Sequence, residues 1–144
     1  MDEDAFRHML DEVIERPCVF EKAILTCCVK CGRAERMQIA EREAVTCQDG
    51  QSLSRCTELH DGLRRSFAFA LGEMRSDIAL PHAQEMRVQC GGLKGLQDVL
   101  TGSAEVEDVD ALLQDSMRQF GTLADFPYSQ VVHAAAQNYK GRLG

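Results

Sequence analysis

The density of cysteines is the feature that most constrains this chain. Seven cysteines occur in 144 residues, and four of them fall in the segment 18–31, which reads CVFEKAILTCCVKC. Free cysteine often behaves as a small buried hydrophobe, so part of the set is expected to be core packing. Four in so short a segment exceed what packing requires. An odd total, in a chain expected to lie in a reducing compartment, indicates metal binding or redox chemistry rather than a disulfide framework.

Helix geometry limits which cysteines can share one centre. In a continuous helix, Cys18 and Cys28 would be separated by ~15 Å along the axis, because each residue rises ~1.5 Å. The thiolates of a zinc site lie within roughly 4 Å of one another, and an iron–sulfur cluster is larger but still compact. Cys28 and Cys31, by contrast, lie one turn apart on the same face. This CxxC pair is therefore predicted to be the nucleus of any metal site.

The remaining ligands of such a site must come from elsewhere in the chain. Cys47 lies in a turn-like run and Cys56 lies near the start of the following helix, so both thiols can converge on the CxxC pair. The preferred ligand set has the spacing C-x2-C-x15-C-x8-C and comprises Cys28, Cys31, Cys47 and Cys56.

Two other ligand arrangements are compatible with the same sequence. If the third helix folds back against the second, the thiols of Cys47 and Cys56 approach Cys18. Cys90 is then available as a fourth ligand. If instead the second helix breaks near Thr26, the thiols that meet are those of Cys18, Cys28, Cys31 and Cys47. The spacing alone leaves these alternatives open.

The predicted cofactor is an iron–sulfur cluster of the 4Fe–4S type, with zinc as the alternative. All-thiolate zinc sites favour two CxxC knuckles, whereas this chain has one. Iron–sulfur clusters tolerate scattered ligands, and apolar side chains such as Val19, Phe20 and Ile24 would shield a cluster from water. A thiol–disulfide role for Cys28 and Cys31 is disfavoured because the strand-then-helix context of thioredoxin-like motifs is absent.

Apolar residues recur at helical spacing along almost the whole chain, and no alternating run of useful length indicates a strand. The predicted fold is all-α, a single compact irregular bundle of six to seven helices over residues 1–144 with a cysteine-rich N-terminal half over 18–56. The predicted helices occupy 6–14 before Pro17, 19–31, 33–46, a run from a Ser52 or Ser54 cap to Gly72, a run from Pro81 to Leu100, a run from Asp108 to Gly121, and a run beginning at Pro127.

Three glycines, Gly91, Gly92 and Gly95, lie inside the fifth predicted helix. Each costs ~1 kcal/mol relative to alanine in a helix interior. They are therefore expected where another backbone or a bulky group comes very close, or where the helix breaks.

Composition and charge exclude some classes of function. A formal net charge of -7 disfavours general nucleic-acid binding, which needs a positive field. No apolar run approaches the ~20 residues of a membrane-spanning helix, and the acidic N-terminal segment is not typical of a targeting signal. A cytoplasmic location is the expectation.

The expected function is electron transfer, or redox or gas sensing, with a redox or regulatory protein as partner. Carrier or sensor is favoured over enzyme because a cluster whose irons are all held by thiolates has no open position for a substrate. The alternative is a helical adaptor, zinc-stabilised or metal-free, that works by binding another protein.

Overall fold

The computed structural model describes residues 4, 5, 8, 14–72 and 80–140, and this part of the chain is mostly helical with one two-stranded sheet. The helices and strands are α1 Glu21–Leu25, β1 Ala34–Ile39, β2 Arg42–Cys47, α2 Gly50–Leu71, α3 His82–Met86, α4 Gly92–Thr101, α5 Val109–Phe120 and α6 Tyr128–Asn138. A π-helical turn, Arg87–Gly91, joins α3 to α4, so these run as one interrupted helix. Within the described part, no helix combines the length and apolar composition needed to cross a membrane.

The prediction of an all-α fold is correct in the predominance of helix and wrong for residues 33–46, which form an antiparallel hairpin. The predicted count of six to seven helices also differs from the five that the described residues form when the α3–α4 run is counted once. The hairpin register pairs Ala34 with Cys47 and Ile39 with Arg42. Its turn passes through Ala40, which has a positive φ of 54°.

The hairpin forms although its residues favour helix, because pairing and burial outweigh intrinsic propensity. Ile39 and Ala44 pack with Ile14 in a small apolar cluster on the hairpin. The segment before α1 adds a short bridge, Pro17 to Thr46, along the other edge of β2. Long-range contacts of this kind leave no helix-breaking signal in the local sequence.

The second predicted helix is much shorter than expected. It ends near Thr26, where one of the alternative ligand arrangements requires a break. The amide of Cys28 donates to Ala23 O at 3.1 Å and that of Cys27 to Ile24 O at 3.0 Å. Cys27 has a φ of 63°. This is a Schellman ending, here with cysteine at the left-handed position that glycine usually occupies. Cys27, Cys28 and Cys31 therefore lie beyond the helix rather than along its apolar face.

Most of the other predicted boundaries are close to the observed ones. Asp49, rather than Ser52 or Ser54, caps α2 by accepting from Gln51 N, and Gly72 ends it at a φ of 70°. Asp108 caps α5, and α6 follows Pro127, both as predicted. Of the first predicted helix, 6–14, only residues 8 and 14 lie in the described part of the chain, so this prediction falls outside it.

The glycines of the α3–α4 run are explained by close approach. A Cβ on Gly95 would lie 2.4 Å from Val131 O of α6, and one on Gly92 would lie 2.6 Å from a methyl carbon of Leu63 on α2. The run is also interrupted by the π-helical turn that contains Gly91. The absence of side chains thus lets α4 pack directly against α6 and α2.

Candidate metal centre

Four free cysteines border one small cavity between the hairpin, α1, α2 and the start of α5. They are Cys18, Cys31, Cys47 and Cys56. Phe20, Ile24 and Val109 supply apolar parts of the wall. Cys47 and Cys56 are buried, whereas Cys18 and Cys31 are partly exposed. The cavity therefore has a thiol lining that is shielded from water on one side and approaches the surface on the other.

Backbone pairing around β2 places three of these cysteines on neighbouring segments of the chain. The amide of Cys18 donates to Val45 O at 2.9 Å, and that of Cys47 donates to Arg16 O at 2.8 Å. On the other side of β2, the pairing of Ala34 with Cys47 places the loop that carries Cys31 beside the same strand end. β2 thus holds the segments of Cys18 and Cys31 on its two edges.

The fourth thiol, that of Cys56, comes from the second turn of α2. The chain passes from Cys47 to this helix in two residues, and the Asp49 cap fixes where the helix begins. The Cys47 thiol donates a hydrogen bond to Asp49 O at 3.1 Å, within this same connection. The end of β2, the Asp49 cap and the start of α2 follow one another directly in the chain. This one segment therefore positions two of the four sulfurs.

Burial favours the neutral form of the Cys18, Cys31 and Cys56 thiols in the protein without metal. Burial raises the pKa of Cys18 to about 12, against a backbone hydrogen bond from Phe20 that favours the thiolate. Burial also raises the pKa of Cys31, although backbone hydrogen bonds from Arg33 and Asp110 oppose it. Amides directed at sulfur in this way favour the charged form once a cation is present.

The sulfurs also interact with one another. The pKa of Cys56 is raised first by burial and then by the negative charge that Cys18, Cys31 and Cys47 would carry as thiolates. Four thiolates cannot share this apolar space without a cation, whereas a metal centre would remove both penalties at once. Thiol donors beside a dry apolar wall are the chemistry that a thiolate metal centre uses.

A buried carboxylate, Asp110, organises the polar edge of the cavity. It accepts hydrogen bonds from Ser52 Oγ at 2.6 Å, Arg55 at 3.3 Å and Gln114 at 2.9 Å. Burial alone would raise the pKa of Asp110, but these partners together with Arg33 hold it below its usual range. The Nε atom of Arg55 is buried without a hydrogen-bond partner. Arg33 and Arg55 therefore both lie at the polar edge of the thiol cavity, where they pair with Asp110.

Three of the four ligands in the preferred sequence-derived set, Cys31, Cys47 and Cys56, lie on the cavity. The other, Cys28, instead forms a disulfide with Cys90, with a Cα–Cα distance of 6.2 Å. Cys18, one of the two further ligand candidates, lies on the cavity instead. The reason is the Schellman ending of α1, after which the CxxC segment no longer follows helical spacing.

Sequence reasoning missed Asp110, Arg33 and Arg55 as parts of this site. Asp110 lies 58 residues from Ser52 in sequence, and only the docking of α5 on α2 brings them into contact. No local spacing pattern marks such a pair.

As placed, the described residues include no group of three or more histidine, cysteine, aspartate or glutamate side chains that could hold one metal ion. The four thiols border the cavity without meeting in such a group.

No protein-family model matches the chain, and neither the curated proteins nor the solved structures include a match to it.

Proposed function

We propose that this protein binds an iron–sulfur cluster of the 4Fe–4S type and acts in electron transfer or redox sensing. The ligands would be Cys18, Cys31, Cys47 and Cys56. The observation that carries the proposal is that four free thiols, contributed by a loop, a second loop, a strand end and a helix, line one apolar cavity.

Two features of the cavity favour a cluster. Its ligands come from scattered elements rather than from paired CxxC knuckles, an arrangement that iron–sulfur clusters tolerate. Its apolar side chains, including Phe20 and Ile24, would limit the access of water, and backbone amides directed at Cys18 and Cys31 would tune the potential. When bound, such a cluster supplies one-electron redox chemistry.

The exposure of the thiols indicates where electrons would pass. Cys47 and Cys56 are buried, whereas Cys18 and Cys31 are partly exposed. A redox partner would therefore dock over the surface around Cys18 and Cys31, where the path through protein is shortest. With all four ligand positions filled by thiolates, the proposed role is carrier or sensor rather than enzyme.

Zinc is the second candidate, and the size of the cavity favours it. The free space is about 20 Å³, enough for a single atom, so a cluster would require the walls to move outward. A zinc ion on the same thiols would crosslink the hairpin to α2 and stabilise the fold. The protein would then act as an adaptor through its surface.

The test is to purify the full chain without oxygen, record its visible absorption, and measure iron, sulfide and zinc per chain. The cluster proposal predicts a brown protein with about four irons and about four sulfides per chain. A colourless protein with one zinc per chain would rule out the cluster and support the zinc site. A protein that holds neither, even after reconstitution, would overturn both.

A further inference from the structure

The disulfide between Cys28 and Cys90 forms a second cysteine centre, separate from the thiol cavity. It joins the turn after α1 to the π-helical turn between α3 and α4. Cys90 is fully buried, with none of its surface exposed. Cys28 is partly exposed and lines an open surface pocket. Cys28 is therefore the half of this bond that lies toward solvent, and Cys90 is the half that lies in the core.

We propose that Cys28–Cys90 is a thiol-exchange site for a low-molecular-weight peptide thiol. The thiolate of the incoming molecule attacks Cys28 Sγ and forms a mixed disulfide there. The electron pair of the broken Cys28–Cys90 bond goes to Cys90 Sγ, which takes up the proton that the incoming thiol gives up and becomes a thiol. A second equivalent of the peptide thiol then releases Cys28, so that both cysteines are reduced and the thiol leaves as its own disulfide.

The pocket beside Cys28 carries charges of both signs. Lys30 and Lys94 line it together with Glu105 and Glu107. A peptide thiol such as glutathione carries carboxylates and an ammonium group, which these four side chains complement. The two lysines attract the carboxylates of such a thiol, whereas Glu105 and Glu107 attract its ammonium group. The chemistry of the pocket thus matches a small zwitterionic thiol.

Opening the disulfide need not unfold the surrounding structure. The amide of Ala23 on α1 donates to Oε1 of Gln89, next to Cys90, at 3.0 Å, and this bond is buried. The segments that the disulfide joins are therefore also held by a direct hydrogen bond. Exchange at Cys28 is expected to proceed in the folded protein.

The experiment uses the full chain carrying Cys27→Ser, which removes an exposed thiol from the same pocket. Reduced glutathione is added, the reaction is stopped with acid, free thiols are alkylated under denaturing conditions, and peptides are mapped by mass. The expected product carries glutathione on Cys28 and an alkylated Cys90. Glutathione on Cys90, the absence of a Cys28–Cys90 disulfide before treatment, or an exchange rate that rises only with the unfolded fraction in urea would each overturn the proposal.

A comparison of two thiols tests the role of the pocket. The double variant Lys30→Gln, Lys94→Gln is expected to lower the rate with glutathione about threefold relative to the rate with uncharged 2-mercaptoethanol. Lys140→Gln, at an exposed lysine outside the pocket, is the matched control and should leave this ratio unchanged. An unchanged ratio in the double variant would contradict recognition by the pocket.

Discussion

At the scale of single residues, the cavity thiols combine burial with amides directed at sulfur. Burial opposes the thiolate at Cys18 and Cys56, whereas the amide of Phe20 favours it at Cys18. The same side chains are thus neutral without metal and suited to become ligands when a cation compensates their charge.

Because burial favours the neutral thiol in the folded state, the metal-free protein is expected to lose stability at high pH. The pKa of Cys18 is raised from 9.0 to about 12, so the folded state holds its proton more tightly than the unfolded state. The resulting stability is fully present below pH 9.0 and is lost as the pH rises toward about 12. Urea unfolding of the metal-free protein on both sides of pH 9.0 measures the fall. A Cys18→Ser, Cys56→Ser variant should show a flatter dependence, and an equally steep one would contradict this origin.

Asp110 is expected to be the most sensitive polar residue of the site. Asp110→Asn removes the charge that pairs with Arg33 and Arg55 and leaves the buried part of Arg55 without its anion. The expected loss is about 2–3 kcal/mol of unfolding free energy, measured by urea unfolding of the metal-free protein.

The matched control for this substitution is Asp115→Asn on the same helix. Asp115 pairs with Arg118 at the surface, where an ion pair contributes little. The control should change the unfolding free energy by less than about 0.5 kcal/mol. Equal effects of the two substitutions would show that the Asp110 network does not stabilise the cavity edge.

At the scale of elements, α4 depends on glycine for its contact with α6. Gly95→Ala would place a methyl group 2.4 Å from Val131 O, which is backbone and cannot rotate away. The expected cost is about 2–4 kcal/mol, since one of the helices must move. Gly102→Ala, at a helix end with a φ of 83° and nothing within 4 Å, should cost only about 1 kcal/mol. Thermal unfolding measures both effects. An equal fall in the midpoint temperatures of the two variants would contradict the close packing.

The helical elements were largely predictable because their ends carry local signals. Asp108, Gly121 and Pro127 mark boundaries through capping, left-handed conformation and a fixed φ, and none of these depends on distant residues. The hairpin was not predictable in this way. Its helix-favouring residues are overruled by the pairing of β1 with β2 and by the bridge from Pro17 to Thr46.

At the scale of the whole molecule, three of the four cysteines in the preferred sequence-derived set lie on one cavity, and the fourth does not. Cysteine density predicted a cluster of thiols, and Cys31, Cys47 and Cys56 do lie on one cavity. Cys18 rather than Cys28 lies on the cavity because of where α1 ends and because Cys28 pairs with Cys90, which is 62 residues away in sequence. Spacing rules that assume one continuous helix cannot supply that information.

The central proposal is that Cys18, Cys31, Cys47 and Cys56 would hold one metal centre and that Cys28 would not. The most direct measurement is the iron, sulfide and zinc content of single serine variants at these four cysteines, purified without oxygen and checked for helix content. Cys27→Ser and the double variant Cys28→Ser, Cys90→Ser are the matched controls. Each of the four variants is expected to lose the metal, while both controls are expected to retain it. Retention in a folded Cys18→Ser variant, together with loss in the Cys28→Ser, Cys90→Ser control, would contradict it.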